Sequence, residues 1–458
     1  MECKSNLSKA AALYNVAGTT QTACTTKVKI VLEMKFVREN PDVVKENLKR
    51  RGNPEQAAWV DQLLENDKNW RSFRTQADGL RSKRNKLTEE IAKLRRQGTD
   101  TGEFVKEAEQ IPDQIKAIEN QTQEIEGKIT ATLMQLPNII HDSVPIGKGE
   151  ADNVEVKRWS EPPKFDFTPK DHIQLAERLG LIDLERAAKV AGARFYYLKG
   201  DLVKLNYSLI KFALDFIDLK GFKLIQSPYM MRREAIGGAV ALTDFEDVIY
   251  KIEGEDLYLL ATAEHGMLAQ HMNEILDGKS LPLRYGGVSP CFRKEAGAHG
   301  RDTKGIFRVH QFEKVEQFVF CKPEDSWQEH EKLIANAEQL FQQLKIPYRI
   351  VNLCSGDVGV VSAKTYDLEA WFPGQDVYRE VVSCSNCTSY QAVRSKIRFR
   401  DKPNEPTKWV HTFNSTLVAT ERAMVAIMEN YQNRDGSITI PETLQVYMGG
   451  ATRIRPAT

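Results

Sequence analysis

Two arginines on either side of a glycine-rich loop are the first sign of chemistry in this chain of 458 residues. Arg293 and Arg308 lie in the segment 292–316, which reads FRKEAGAHGRDTKGIFRVHQFEKVE. The pattern predicts a strand, a loop and a returning strand, so the two guanidinium groups should face a ligand from opposite limbs. Guanidinium forks suit phosphate groups, and Phe307 beside them suits stacking on a nucleobase. A salt-bridged hairpin is the alternative, which the density of Arg, Gly and His disfavours.

Other common nucleotide and metal motifs do not occur in the sequence. It contains no GxxxxGK[ST] loop, no GxGxxG opening a helix and no HExxH, which excludes P-loop NTPases, Rossmann oxidoreductases and the common zinc proteases. Cys384 and Cys387 form a C-x-x-C pair, which is half of a structural zinc site. The remaining cysteines supply no second pair, so no zinc is expected.

Composition restricts the remaining classes. Lys plus Arg total 64 and Asp plus Glu total 63, and the formal net charge of +1 excludes a polybasic or an acidic tail protein. With 41% hydrophobic residues the chain can bury a core, and no apolar run approaches the ~20 residues of a membrane span. Seven cysteines at irregular spacings favour a reducing compartment. We therefore expect a soluble, cytoplasmic protein without a membrane partner.

Residues 34–140 are predicted to be helical. Asn40-Pro41 is a helix start signal for residues 41–51, and apolar residues then recur in steps of three and four along two seams between about 55 and 133. A polar break at 98–102 separates the seams, so they should pair as an antiparallel coiled-coil hairpin. Pro112 in the second seam should kink that leg or mark its start. Residues 1–33 precede this domain as an extension that is expected to be poorly ordered.

The two legs of the predicted hairpin differ in charge, because the first is basic and the second acidic. One interpretation is that opposite charges pair across the hairpin, which would stabilise it only weakly. The other is a projecting arm whose basic leg follows a phosphate backbone. The candidate nucleic-acid contacts are Arg81, Lys83, Arg84, Lys86, Lys93, Arg95 and Arg96.

A second domain is predicted beyond the hairpin. Residues 141–170 are rich in Pro, Gly and Asp and predict a linker. In residues 171–458 predicted strands such as Phe307–Gln311 and Tyr348–Asn352 alternate with predicted helices such as His265–Leu276. Hairpin-like strand pairs outnumber β-helix-β units, so the fold class is α+β, with a mainly antiparallel sheet and helices packed on it.

These segments resemble the class II aminoacyl-tRNA synthetases, and in detail the seryl-tRNA synthetase family of archaeal type. Residues 205–230 resemble motif 1, 292–316 motif 2 and 411–432 motif 3, while LLATAEH at 259–265 resembles the family's serine-binding Thr-x-Glu loop. The hairpin arm agrees as well, so the resemblance covers residues 34–450. It implies a class II antiparallel sheet, ATP-dependent activation of L-serine and transfer of serine to tRNA(Ser), and to tRNA(Sec) where present.

The resemblance also implies the roles of individual residues. Arg293, Arg422 and Glu380 would be catalytic, with Glu380 and Ser383 holding Mg²⁺ together with ATP. The ATP-binding residues would be Arg293, Lys294, Glu295, Phe307, Arg308, Val309, Glu380, Val381, Val382, Ser383 and Arg422. The serine-binding residues would be Thr262, Ala263, Glu264, Arg293, Glu316, Asn386 and Thr416, with Ser415 left open as the alternative to Thr416.

Two functions from different classes, and one further enzymatic possibility, remain compatible with the sequence. The first is a homodimeric serine–tRNA ligase that uses ATP and Mg²⁺. The second is a binding or regulatory protein that retains the fold without ligation, and the third is a relative that loads serine onto a carrier protein. Retention of the outer-phosphate arginines Arg308 and Arg422 favours the enzyme, and the hairpin arm disfavours the carrier-protein relative.

Overall fold

The N-terminal part of the computed structural model, which describes residues 32–240, 248–296 and 304–455, is a long helical hairpin. Its helices are α1 (Met34–Glu39), α2 (Pro41–Arg50), α3 (Ala57–Arg96) and α4 (Gly102–Leu133). At 1.5 Å per residue, α3 is about 60 Å long and α4 about 48 Å. The predicted extension lies outside the described residues except for its last two positions.

The hairpin is held by the predicted apolar seam. Leu87 of α3 is buried against Ile111 and Ile115 of α4, and Gly98 takes a positive φ of 71° in the turn between the legs. Pro112 lies inside α4, which begins ten residues earlier at Gly102. Pro112 therefore does not mark the start of the second leg.

The C-terminal part is built on an eight-stranded sheet. Its strands in chain order are β1 (Val154–Trp159), β2 (Lys223–Ile225), β3 (Leu283–Phe292), β4 (Gln311–Cys321), β5 (Tyr348–Asn352), β6 (Lys364–Phe372), β7 (Val377–Thr388) and β8 (His411–Ala419). The spatial order is β1-β5-β6-β7-β8-β4-β3-β2. All neighbours are antiparallel except β2 and β3, which run parallel. The antiparallel-dominated α+β architecture predicted from the sequence is confirmed.

Helices cover the sheet and bury its core. They are α5 (His172–Leu179), α6 (Leu184–Ala191), α7 (Asp201–Leu219), α8 (Arg233–Gly237), α9 (Ala263–Ala269), α10 (Ser326–Gln343), α11 (Tyr390–Ser395), α12 (Thr420–Asn430) and α13 (Glu442–Gln445). Helix α9 packs on β3 and β4, α10 on β7 and β8, and α12 on β4, β6 and α7. Among the described residues, none of the helices combines the length and hydropathy that a membrane span requires.

Short strand pairs flank the main sheet. Ile182–Asp183 pairs with Tyr197–Leu198, Met230–Met231 with Tyr258–Leu259, and Ile438–Thr439 with Arg453–Ile454. A three-stranded sheet is formed by Ile275–Asp277, Arg398–Arg400 and Lys408–Trp409.

Local boundaries differ from the sequence prediction in three places. The predicted linker supplies β1, which pairs with β5 at the edge of the main sheet. The predicted strand at Phe307–Gln311 is wrong, because β4 begins only at Gln311. The predicted helix His265–Leu276 is also wrong in extent: α9 ends at Ala269, and Asn273 has a positive φ of 66°, which ends helical geometry before Ile275–Asp277.

Candidate active site

A cleft of about 300 Å³ opens where β3, β4, β7, β8 and the start of α12 meet. The sequence-predicted residues that line it are Thr262, Glu264, Arg293, Glu295, Phe307, Arg308, Val309, Glu316, Glu380, Val381, Ser383, Thr416 and Arg422. These residues come from five separate segments of the chain, which the antiparallel sheet brings side by side. The cleft has an arginine-rich outer part and a carboxylate-rich inner part.

The outer part holds three arginines: Arg422 and Arg308 contact carboxylates, and Arg293 Nε donates to the Ala261 carbonyl at 3.2 Å. The Nη1 of Arg422 lies 3.0 Å from the Glu380 carboxylate and 3.0 Å from the Glu380 carbonyl oxygen. Arg308 donates to Glu295 at 2.9 Å. Burial favours the neutral form of Glu380, but Arg422, with Arg293 and Arg308, holds its pKa below the usual value. The Glu380 carboxylate is therefore ionised, and three guanidinium groups line this part of the cleft.

Two phenylalanines stand near these arginines in different environments. Phe307 is buried, its ring packs edge-on against Phe372, and the Arg379 guanidinium covers it 3.9 Å from the centroid. Phe312, which sequence reasoning missed, is half-buried and lines the cleft. The guanidinium of Arg293 lies 5.2 Å from the Phe312 centroid. Phe312 is thus the more open aromatic surface of the cleft.

The inner part is built on two neighbouring strands. Lys314 and Glu316 are two residues apart on β4, so their side chains lie on the same face, where they form a buried ion pair. The hydroxyl of Thr416 on β8 donates to Glu316 at 3.4 Å. Burial raises the pKa of Glu316, while Lys314 opposes this shift. Glu316 therefore presents a carboxylate oxygen in a place that water reaches poorly.

Glu264 faces Glu316 from the start of α9. Its Oε1 accepts hydrogen bonds from Asn414 Nδ2 at 2.9 Å and from the Gln391 amide. Burial, and then the charge of Glu316, raise the pKa of Glu264 to about 7. Two carboxylates in one pocket favour a ligand that carries a positive group.

Several predicted contacts lie elsewhere. Asn386 is fully buried, and its amide donates to Ser326 Oγ at 3.1 Å outside the cleft, while Asn414, which was not predicted, lines the cleft. Because side chains alternate along a strand, Asn414 and Thr416 face the cleft and Ser415 faces away from it. Of the two alternatives Ser415 and Thr416, only Thr416 therefore lines the cleft. The side chains of Lys294, Ala263 and Val382 are not part of the lining either.

Glu421 is a further lining residue without a sequence prediction. It accepts a hydrogen bond from the Tyr196 hydroxyl at 2.5 Å and from the Glu313 backbone N–H at 3.1 Å. Burial, and then the nearby Glu313, raise its pKa well above the usual value. Glu421 thus ties α12, which carries Arg422, to the start of β4.

The two cysteines of the C-x-x-C pair do not converge. They are three residues apart on β7, so their side chains point to opposite faces. Cys384 packs in the main core, whereas the Cys387 sulfur accepts from Asn414 at 3.4 Å. Within the described ranges, no cluster of three or more His, Cys, Asp or Glu side chains is arranged to hold a metal.

Comparison with known proteins identifies the family. Residues 31–140 match the seryl-tRNA synthetase N-terminal domain, and residues 248–431 match the tRNA synthetase class II core domain (G, H, P, S and T). A serine–tRNA ligase of Nitrosopumilus maritimus is 54% identical over 93% of this chain and 100% of its own length. The chain belongs to the seryl-tRNA synthetase family. A serine–tRNA ligase of Methanoregula boonei is 55% identical over 91% of this chain and 99% of its own.

Solved structures of the seryl-tRNA synthetase family agree with this fold. The structure of seryl-tRNA synthetase from Pyrococcus horikoshii complexed with ATP has a TM-score of 0.90 at 51% identity, covering 93% of this chain and 100% of that one. A cytoplasmic serine–tRNA ligase from Naegleria fowleri in complex with AMP has a TM-score of 0.85 at 35% identity, covering 94% and 100%. The resemblance stated from the sequence is confirmed.

In this family member the basic leg of the arm divides into two groups. Arg81 bridges to Glu119 at 2.6 Å, and Lys83 pairs with Glu107, both across the hairpin. The other predicted contacts are exposed and form no ion pair among the described residues: Arg84, Lys86, Lys93, Arg95 and Arg96. Charge pairing therefore explains part of the basic leg, and an exposed cationic surface remains on the rest.

Proposed function

We propose that this chain is a serine–tRNA ligase that activates L-serine with ATP and transfers it to tRNA(Ser), and to tRNA(Sec) where present. The observation that carries the proposal is the single cleft with arginines at one end and the buried Glu316 and Glu264 at the other. A serine carboxylate oxygen attacks the α-phosphorus of ATP and pyrophosphate leaves. The adenosine hydroxyl at the tRNA 3′ end then attacks the serine carbonyl, and AMP leaves.

The arginine-rich end suits ATP. Arg293 lies between the two halves, where it can bind both the α-phosphate and the serine carboxylate as negative charge develops between them. Arg308 and Arg422 provide guanidinium forks for the outer phosphates. Glu295 accepts a hydrogen bond from the adenine amino group. The ring of Phe312 is available to stack on adenine, because it is more exposed to the cleft than the ring of Phe307. The side chains of Val309 and Val381 complete the walls, whereas those of Lys294 and Val382 lie outside the lining.

The donor set around Glu380 fits Mg²⁺. Glu380 is ionised and Ser383 lines the same cleft, and hard cations take such oxygen ligands together with phosphates. Asp367 is half-buried and lines an adjoining pocket together with Glu380, and its buried Oδ1 has no hydrogen-bond partner among the described residues. Bound Mg²⁺ would neutralise phosphate charge, with Glu380 and Ser383 holding it. We propose no zinc for this site.

The carboxylate-rich end suits serine. Glu316 and Thr416 offer oxygen partners for the serine hydroxyl, while Thr262 and Glu264 suit the ammonium group. A pocket built to hydrogen-bond a hydroxyl leaves buried polar groups unpaired when alanine binds, so it discriminates strongly. We propose Asn414 in place of Asn386 as the amide of this pocket, because Asn386 lies outside the cleft.

A homodimer is the proposed assembly. The motif 1 helix α7 leaves Tyr207 65% exposed and Leu219 87% exposed, and Leu224 and Met230 add exposed apolar surface in the following motif 1 segment. Burial of this surface against a second copy would be favourable. The described cysteines are free thiols, in keeping with a cytoplasmic location.

Charging of tRNA(Ser) with serine tests the proposal. The unmodified protein should form seryl-tRNA from ATP, serine and tRNA(Ser). Glu316→Gln should lose charging, because a buried partner of the serine hydroxyl changes, whereas Glu324→Gln just beyond the same strand should charge normally. Retention of full charging by Glu316→Gln would contradict the proposed serine pocket.

A further inference from the structure

A strained corner joins the serine pocket to the base of the arm. We define the corner as residues 387–391, where β7 ends and α11 begins, and the arm base as α2 with residues 134–140. Thr388 has a φ of 48°, in the left-handed region that β-branched residues rarely adopt. Such a conformation persists only where surrounding contacts hold it.

Asn138 of the arm base supplies contacts that hold the corner. It is fully buried, and its Nδ2 donates to the Cys387 carbonyl at 2.8 Å. Its Oδ1 accepts from the Thr388 hydroxyl at 3.4 Å. The carbonyl of Asn138 in turn accepts from Asn47 Nδ2 of α2 at 3.2 Å and from Arg51 Nε, directly after α2, at 3.0 Å, so the segment is fixed to α2.

Tyr390 forms the second contact between the corner and the arm base. Its hydroxyl donates to the Leu136 carbonyl at 2.8 Å. The Arg394 guanidinium lies 3.6 Å from the Tyr390 ring centroid and donates to the Met134 carbonyl at 2.8 Å. The arm base is therefore bound to α11 by directional contacts from Tyr390 and Arg394.

The next residue of the corner reaches the opposite side. Gln391 is fully buried, its Nε2 donates to Glu264 Oε1, and its Oε1 accepts from Thr412 at 2.7 Å. Consecutive residues on a helix point about 100° apart. Tyr390 consequently contacts the arm base while Gln391 contacts the serine pocket.

We propose that the arm base positions Gln391, and through it Glu264, and so sets the affinity for serine. The inference rests on the proposed serine–tRNA ligase function. Gln391 is a positioning residue here, because it acts on serine through Glu264. The projecting part of the arm serves tRNA, whereas its base belongs functionally to the amino-acid pocket.

Tyr390→Phe tests the connection, since it removes the hydrogen bond to Leu136 and keeps the ring under Arg394. The serine KM in ATP–pyrophosphate exchange should rise about three- to tenfold, the size expected for one hydrogen bond, with the ATP KM unchanged. Tyr431→Phe is the matched control, because its hydroxyl also donates to a backbone carbonyl, that of Leu344 at 2.6 Å. It should leave the serine KM unchanged.

A double variant separates positioning from general loosening. Gln391→Met should raise the serine KM, and adding Tyr390→Phe should raise it no further, because both changes act through one contact. Multiplying effects, or an unchanged serine KM in Tyr390→Phe, would overturn the inference. If the unmodified protein shows no serine-dependent exchange, the proposed function fails, and that outcome is distinct from a failure of the variants.

Discussion

In the proposed serine pocket, Glu264 is the group whose titration should set the pH dependence of serine binding. Its pKa is raised to about 7 by burial and by Glu316, while Gln391, Lys314 and Arg293 favour its charged form. In the proposed pocket, the ionised form of Glu264 binds the serine ammonium group. The serine KM should therefore rise about tenfold per pH unit as the pH falls below 7, measured by exchange at fixed saturating ATP.

The Glu264→Gln variant tests this pH dependence. Glu264→Gln should weaken serine binding and remove the inflection near pH 7, because an amide does not titrate there. A serine KM that is flat from pH 5.5 to 8.5 in the unmodified protein, or one that rises with pH across that range, would contradict the role of ionised Glu264.

Some residues of the cleft could be predicted from the sequence, and others could not. Arg293, Arg308 and Arg422 could be assigned to one ligand from the sequence because each lies in a distinctive motif, and the structure brings all three into one cleft. Phe312 and Asn414 were missed, because the start of β4 and the facing of β8 depend on strand register. One-residue shifts in register exchange the cleft side for the core side. Only the paired strands themselves fix that choice.

At the scale of the element, the arm shows a similar division. Its two seams and its turn were predictable from spacings of three and four, and α3 and α4 confirm them. The pairing of each charge was not predictable, because it depends on which side chains face each other across the hairpin. Strand β1 was missed since its residues, Val154–Trp159, are largely exposed and carry little apolar pattern.

The exposed basic residues of the arm should make tRNA binding depend on salt concentration. Replacing Arg84 and Lys86 by Gln should flatten the plot of log affinity against log salt by about 0.7–0.9 per lost phosphate contact, because fewer counterions are released. Replacing Arg81 and Lys83 by Gln removes the same charge, but these groups are already paired with Glu119 and Glu107.

Filter binding of tRNA(Ser) from low to moderate salt compares the two double variants. The first pair should change the slope more than the second. Equal slopes in both variants and in the unmodified protein would mean that the basic leg only braces the hairpin.

For the whole molecule, the exposed surface of α7 predicts a dimer at micromolar concentration. Tyr207→Glu with Leu219→Glu should give monomers in sedimentation, because two buried carboxylates would oppose association. Ile146→Glu is the control, since Ile146 is also exposed at 67% but lies outside motif 1. A stable, active monomer of the unmodified protein would contradict the assembly.

The measurement that tests the central claim most directly is amino-acid-dependent ATP–pyrophosphate exchange across the standard amino acids. Serine should support exchange, with threonine, alanine and cysteine far behind. The kcat/KM for serine should exceed that for alanine by about 10⁴-fold, because alanine leaves Glu316 and Thr416 without a hydroxyl partner. Equal exchange with alanine, or none with serine, would contradict the account.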